Sequence, residues 1–135
     1  PDHKLYPESH PDHLRVGEAV SKAYFMCSNV NMMKSVGATQ IAKPTVLAYY
    51  FTGKPNRFVK ITKKDFEKTK AAYACFVSQC PPPDNGKSLM LYMRLKVRLN
   101  GLRSFHIRAD AFRVMNNMHI HCCGEAEETA IRRPL

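Results

Sequence analysis

The sequence predicts a single α+β domain, an antiparallel sheet of about five strands with two helices packed on one face. Three observations support this class: apolar and cationic residues alternate in the segment from 89 to 114, two segments at 14–36 and 62–80 show helical spacing, and a shorter alternating segment lies between them. We expect residues 14–123 to form the domain, with an extended arm at 1–13 and a charged tail at 124–135.

The N-terminal 13 residues contain three prolines and three histidines and no apolar period, which favours an extended arm. His3, in third position behind a free amine, has the spacing that can chelate Cu(II) or Ni(II), and His10 and His13 could add ligands.

The first helix is predicted over 14–36. Asp12 can cap its start, and Val16, Val20 and Tyr24 recur at the spacing of one buried helical face. Gly37 is a suitable residue to end it. We therefore expect the two valines and the tyrosine to contribute to the core.

A short hairpin and a second helix are predicted next. The segments 46–51 and 57–61 are β-prone and are separated by turn formers, which indicates paired strands. Thr62 and Asp65 have the spacing of a capping box, in which each side chain accepts a hydrogen bond from a free backbone N–H of the first turn. Three prolines at 81–83 end this second helix.

The main hairpin is predicted between residues 89 and 114. Every odd position from 89 to 99 is apolar, and Asn100-Gly101 interrupts the pattern. A bulged three-residue turn keeps the apolar residues of both strands on one face. The opposite face then collects the polar and cationic side chains, which are Tyr92, Arg94, Lys96, Arg98, His106 and Arg108. A last short strand is expected at 118–123.

The charge balance suggests a function. The chain has 21 basic and 11 acidic residues, a net charge of +10, and a basic surface attracts polyanions. Lys54 and Arg57 at the tip of the short hairpin extend the basic face. We expect a non-enzymatic binding protein whose sheet face docks on a nucleic-acid backbone, RNA or DNA, or a small basic subunit that contacts other protein subunits of a larger assembly.

A second hypothesis is a secreted or extracellular basic protein that engages membranes or acidic coats. No apolar run approaches the roughly 20 residues that span a bilayer. Five cysteines without a CxxC pair favour reduced thiols and an intracellular location, and they leave one disulfide and secretion open.

One cluster has the composition of a metal site. His119 and His121 share one face of the predicted last strand, with Cys123 on the same side, so these three could hold a divalent metal. The sequence contains no phosphate-binding glycine loop and no GxSxG or HExxH motif, so we expect no other cofactor.

A third hypothesis is a pocket enzyme. The segment at 110–121, a strand with Phe-Arg, a turn and another strand, is loosely similar to the closing strands of cone-shaped NTF2-like domains. The resemblance implies a curved sheet around a pocket, in which His106 and Asp110 would act as an acid–base pair.

Overall fold

The computed structural model describes residues 1–5 and 7–116. Within these ranges the α+β class is confirmed, with four helices instead of two and an antiparallel sheet of three strands instead of about five. The elements are α1 Pro11–Met26, α2 Val30–Ser35, β1 Leu47–Tyr49, β2 Arg57–Lys60, α3 Lys63–Ala74, α4 Lys87–Arg103 and β3 Ala109–Met115. No described helix is both long and apolar enough to cross a membrane.

The sheet has the strand order β1-β3-β2, so the prediction that β1 and β2 form a hairpin is wrong. Both strands lie close to the predicted positions, but β3 separates them and pairs antiparallel with β1, with Tyr49 opposite Arg113. Asn56 makes the alternative pairing possible. Its side chain accepts a hydrogen bond from the Val114 N–H at 2.8 Å and donates one to the Val114 carbonyl oxygen at 3.0 Å.

The prediction of the main hairpin is also wrong, because residues 87–103 form α4, a helix of 17 residues. In a helix, residues four positions apart share a face, whereas residues two positions apart lie on nearly opposite faces. An alternating pattern therefore places its apolar side chains on two different faces of the helix. Val97 is 3% exposed on the inner face, whereas Leu91, Leu95 and Leu99 are each at least 57% exposed.

Intrinsic propensity explains why the helix forms. Leucine, methionine, arginine and lysine are good helix formers, and they make up most of the segment. Val97 is the one β-branched residue between positions 87 and 103. The composition therefore favours a helix even where the alternation resembles a strand.

Helix α1 buries Tyr24 as predicted, but not the two valines. Gly17, Ser21 and Tyr24 are buried, whereas Val16 and Val20 are 56% and 49% exposed. Gly17 allows the start of the chain to approach closely, because a Cβ atom there would lie 2.7 Å from the Pro1 carbonyl oxygen. The first residues therefore pack on α1, where an extended arm was expected.

The described chain divides into two compact units, one of residues 1–57 and 111–116, the other of residues 58–110. The first unit has an apolar cluster of Tyr24, Leu47, Tyr49 and Met115. It also contains a buried ion pair.

This ion pair joins Asp2 to Arg113 of β3. The guanidinium donates from Nε to Asp2 Oδ2 and from Nη2 to Oδ1, both at 2.7 Å, and the two side chains are 0% and 2% exposed. The Arg113 guanidinium also lies 4.8 Å from the centre of the Tyr49 ring. Burial alone would raise the pKa of Asp2, but hydrogen bonds from Arg113, Thr52 and the Lys4 N–H outweigh it and hold this pKa below its usual value.

In the second unit the predicted capping box of α3 is confirmed. Thr62 Oγ1 accepts a hydrogen bond from the Asp65 N–H at 3.2 Å, and Asp65 Oδ2 accepts one from the Thr62 N–H at 3.0 Å. The helix ends at Ala74, before the three prolines. Helix α4 buries Val97, Asn100 and Gly101.

We predict that Asp2→Asn lowers the free energy of unfolding by about 3–5 kcal/mol, because it leaves the Arg113 guanidinium buried without an opposing charge. Urea unfolding measures the loss. Asp12→Asn, which removes an exposed aspartate from the first turn of α1, is the matched control and should cost below about 1 kcal/mol. A comparable loss in both variants would show that the ion pair contributes little.

The same pair gives a pH dependence. Since the folded-state pKa of Asp2 is below the unfolded value of about 3.9, the stabilisation is complete above that value and is lost as the pH falls through the folded-state pKa. The wild type should therefore lose stability below about pH 4 more steeply than Asp2→Asn. Parallel stability curves for the two proteins would contradict this prediction.

Gly101→Ala should destabilise the second unit by about 1–3 kcal/mol, because the new methyl group meets backbone that cannot move away. A Cβ atom there would lie 2.6 Å from the His106 carbonyl oxygen and 2.9 Å from two backbone atoms of Arg108. Leu102→Ala is the control, since Leu102 is 76% exposed and its loss should cost no more than about 0.5 kcal/mol. Equal thermal stability of the two variants would contradict the close packing at Gly101.

Candidate functional site

The candidate site lies where the N-terminal segment enters α1. The Asp2 N–H donates to the Tyr50 carbonyl oxygen at 2.9 Å, and Pro7 forms an isolated bridge with Thr52. These contacts hold the segment along the end of β1. Glu8 follows this segment, and Pro11 occupies the first turn of α1, where its missing N–H costs no hydrogen bond.

Glu8 and His13 form a carboxylate–imidazole pair. Glu8 Oε2 lies 2.8 Å from His13 Nδ1. The other carboxylate oxygen accepts hydrogen bonds from the Ser9 and His10 N–H groups, both at 2.9 Å. The Glu8 side chain is 10% exposed, whereas the His13 side chain is 55% exposed and open to solvent. The carboxylate is therefore fixed and the imidazole is accessible.

The electrostatics of Glu8 determine which nitrogen of His13 carries the proton. Burial alone would raise the pKa of Glu8, but the hydrogen bonds from the His10 N–H, His13 and the Ser9 N–H hold it below its usual value. Near neutral pH Glu8 is therefore an ionised acceptor, so His13 Nδ1 is the donor. The neutral imidazole then presents the lone pair of Nε2, which can accept a proton or bind a metal ion.

His10 places a second imidazole beside the first. Its ring centre lies 4.7 Å from that of His13, and it occupies the N-cap position of α1 without capping the helix through its side chain. Glu8, His10 and His13 therefore form an acid–base cluster at the start of α1. The partial positive charge of the helix N-terminus also favours negative charge near this cluster.

His3 belongs to the packing of this region. Its ring centre lies 5.7 Å from that of Tyr49, and a Cβ atom at Gly17 would lie 3.4 Å from its buried Nδ1. Burial lowers the pKa of His3, so its neutral form is favoured. Its Nδ1 lies near Gly17 of α1. The Cu(II) or Ni(II) site predicted to include His3 stays a prediction.

In residues 1–5 and 7–116, no three His, Cys, Asp or Glu side chains are grouped so as to hold a metal ion. The predicted metal ligands His119, His121 and Cys123 lie outside the described residues, as does the predicted strand at 118–123. That metal site stays a prediction. Cys27, Cys75 and Cys80 are free thiols.

The residues predicted to bind a polyanion do not share a sheet face. The structure distributes them over a helix, the segment that follows it, a turn and a strand. Tyr92, Arg94, Lys96 and Arg98 lie on α4, His106 and Arg108 between α4 and β3, Lys54 in the turn after β1, and Arg57 in β2. The cause is the formation of α4, which replaces the first strand of the predicted hairpin.

The acid–base pair proposed for a cone-shaped pocket is not formed either. Asp110 interacts with Lys96, and burial raises the pKa of Asp110 and lowers that of Lys96, while each charge partly offsets the shift of the other. His106 is exposed, and its backbone N–H donates to the Gly101 carbonyl oxygen at 2.8 Å. The structure therefore holds Asp110 with a lysine and leaves His106 at the surface.

Comparison with solved structures shows a similarity over most of the chain. The chain is similar to N,N'-diacetylchitobiose deacetylase from Pyrococcus horikoshii, solved in complex with an inhibitor, at 25% sequence identity and a TM-score of 0.77. The match covers 94% of this chain and 48% of that structure, so the chain spans about half the length of the deacetylase. No family model matches the sequence. No curated protein matches it either.

This similarity corrects the predicted function. The prediction of a non-enzymatic protein that docks on RNA or DNA is contradicted, because the similar structure is a carbohydrate-processing enzyme. The alternative of a membrane-binding basic protein is also non-enzymatic and is contradicted with it. The NTF2-like alternative fails because the structure does not bring His106 and Asp110 together as an acid–base pair. From the sequence we considered His10 and His13 only as metal ligands and did not single out Glu8, although the proline between the two histidines is a signal for a helix start.

Proposed function

We propose that the protein containing this chain is a deacetylase, which hydrolyses the N-acetyl amide of an amino sugar. The observation that carries the proposal is the similarity to a chitobiose deacetylase over 94% of the chain. The acid–base cluster of Glu8, His10 and His13 supports it independently, because amide hydrolysis needs proton transfer at two atoms. The activity is proposed for the whole protein, since the chain spans about half of the similar structure.

The reaction sets the chemical requirements. Water adds to the acetyl carbonyl carbon and gives up a proton, and the carbonyl oxygen becomes an oxyanion. The C–N bond then breaks, the sugar nitrogen takes a proton, and the products are acetate and a free amine. A site for this reaction must therefore activate water, stabilise an oxyanion and protonate the leaving amine.

The cluster offers groups for these requirements. His13 is held by Glu8 and presents Nε2, which can take the proton of the attacking water. The same nitrogen would be one ligand if a metal ion were bound, and such an ion would supply water activation. His10 lies beside it and can donate a proton to the leaving amine. The N-terminus of α1 favours the negative charge that develops on the carbonyl oxygen.

Glu8 acts on the reaction through His13. It accepts hydrogen bonds from His13 Nδ1 and from two backbone N–H groups, so it fixes both the orientation and the tautomer of the imidazole. Its removal should reduce catalysis without abolishing substrate binding. We therefore assign Glu8 as a positioning residue.

We predict that His13→Ala lowers kcat for deacetylation of N,N'-diacetylchitobiose by about 10²–10⁴-fold, the usual contribution of an acid–base group. Glu8→Ala should lower kcat by a smaller factor and leave KM nearly unchanged. The assay measures acetate and primary amine together, since hydrolysis releases them in equal amounts. It uses the longest natural polypeptide that contains these 135 residues.

His106→Ala is the matched control. It also removes an exposed histidine, but from the second unit, and it should leave kcat unchanged. Circular dichroism checks that each variant is folded. The proposed function would be contradicted if the wild type released neither acetate nor amine from a panel of N-acetylated amino sugars. A loss in His106→Ala equal to that in His13→Ala would contradict the assignment of the site.

A further inference from the structure

The second unit contains a cavity of about 330 Å³ between α3 and α4, apart from the acid–base cluster. This volume is at the lower end of the range for small-molecule sites. Its walls come from the C-terminal half of α3, the loop before α4 and the first two turns of α4. Neither the proposed reaction nor the packing of the unit gives this cavity a role.

The loop wall is fixed by local contacts. Gly86 adopts a left-handed conformation with φ of 74°, and a Cβ atom there would lie 2.9 Å from Cys80 Sγ. The Asp84 carboxylate accepts a hydrogen bond from the Ser88 N–H at 3.1 Å and another from the Ser88 hydroxyl at 2.9 Å. The loop therefore joins α4 in a defined geometry, and the cavity is formed before any ligand arrives.

The cavity combines apolar walls with cations. Tyr73, Met90 and Leu91 provide an aromatic ring and two other apolar side chains. Lys70, Lys87 and Arg94 also line it, and none of the lining residues is acidic. These three cations favour a negatively charged group, and the apolar side chains favour a hydrophobic body.

The cations are available to a ligand. Within residues 1–5 and 7–116, the one ion pair of Lys70 is a long contact with Glu67, at 4.0 Å across the surface of α3. Among the described residues, Lys87 and Arg94 have no ion pair. Asp84 already accepts from the first turn of α4, so an anion in the cavity would be bound by the side chains instead of the helix terminus.

We propose that this cavity binds a small amphiphilic anion, a phosphate or carboxylate carried on an aromatic or short alkyl group. The guanidinium of Arg94 and the ammonium groups of Lys70 and Lys87 bind the anionic group. The ring of Tyr73 and the side chains of Met90 and Leu91 contact the apolar body. The proposal is independent of the deacetylase activity.

The test is isothermal titration calorimetry with phenyl phosphate. Phenyl phosphate should bind saturably and more weakly as salt is added, and phenol and inorganic phosphate should each bind about tenfold more weakly, since each lacks one half of the recognised structure. The double variant Lys87→Glu/Arg94→Glu should weaken the binding of phenyl phosphate by about tenfold or more. Ala74→Trp, which places an indole in the cavity, should abolish the binding.

Lys63→Glu/Lys64→Glu is the matched control, because it makes the same change of charge on the first turn of α3, outside the cavity. It should leave the affinity unchanged. Equal weakening in both double variants would overturn the proposal, because only the net charge would then matter. Absence of saturable binding at millimolar phenyl phosphate would also overturn it, and so would equal affinity for inorganic phosphate.

Discussion

The first unit depends on the ion pair between Asp2 and Arg113. These residues are 111 positions apart, and both are almost fully buried. Removing two charges from water is costly, and the cost is met only when the geometry is good and the remaining polar atoms have partners. Here the pair is bidentate, and Arg113 also contacts the Tyr49 ring and the Met115 sulfur. The central strand is therefore joined to the very start of the described chain.

The candidate site follows from this connection. With Asp2 held at β3, the next residues pass over Gly17 of α1, and Pro7 pairs with Thr52. Glu8 then lies at the start of α1, where its carboxylate holds the imidazole of His13. A catalytic group works best when its neighbours lock its orientation before substrate binds. The ion pair thus contributes to the geometry of the site as well as to stability.

Part of the fold could be predicted from the sequence because its causes are local. The capping box of Thr62 and Asp65 depends on residues three positions apart, and β1 and β2 lie close to the two β-prone segments. The alternation from 89 to 99 misled us because a period of two is compatible with a helix that has two apolar faces. The composition of that segment, rich in good helix formers, was the better signal.

Other features could not be predicted locally. The insertion of β3 between β1 and β2 depends on pairing between segments far apart in the sequence. The burial of Gly17 in place of Val16 depends on where the start of the chain packs. The Asp2–Arg113 pair has no local sequence signal. The cluster of Glu8, His10 and His13 was different, because its three members lie within six residues and surround a helix start.

The most direct test of the account is the tautomer of His13, measured by long-range proton–nitrogen NMR in the wild type and in Asp2→Asn. The account predicts that Nδ1 carries the proton in the wild type and that this preference is weakened in the folded fraction of Asp2→Asn, because the ion pair that helps to hold the segment carrying Glu8 is lost. An unchanged preference in Asp2→Asn would contradict the claim that the ion pair positions the site.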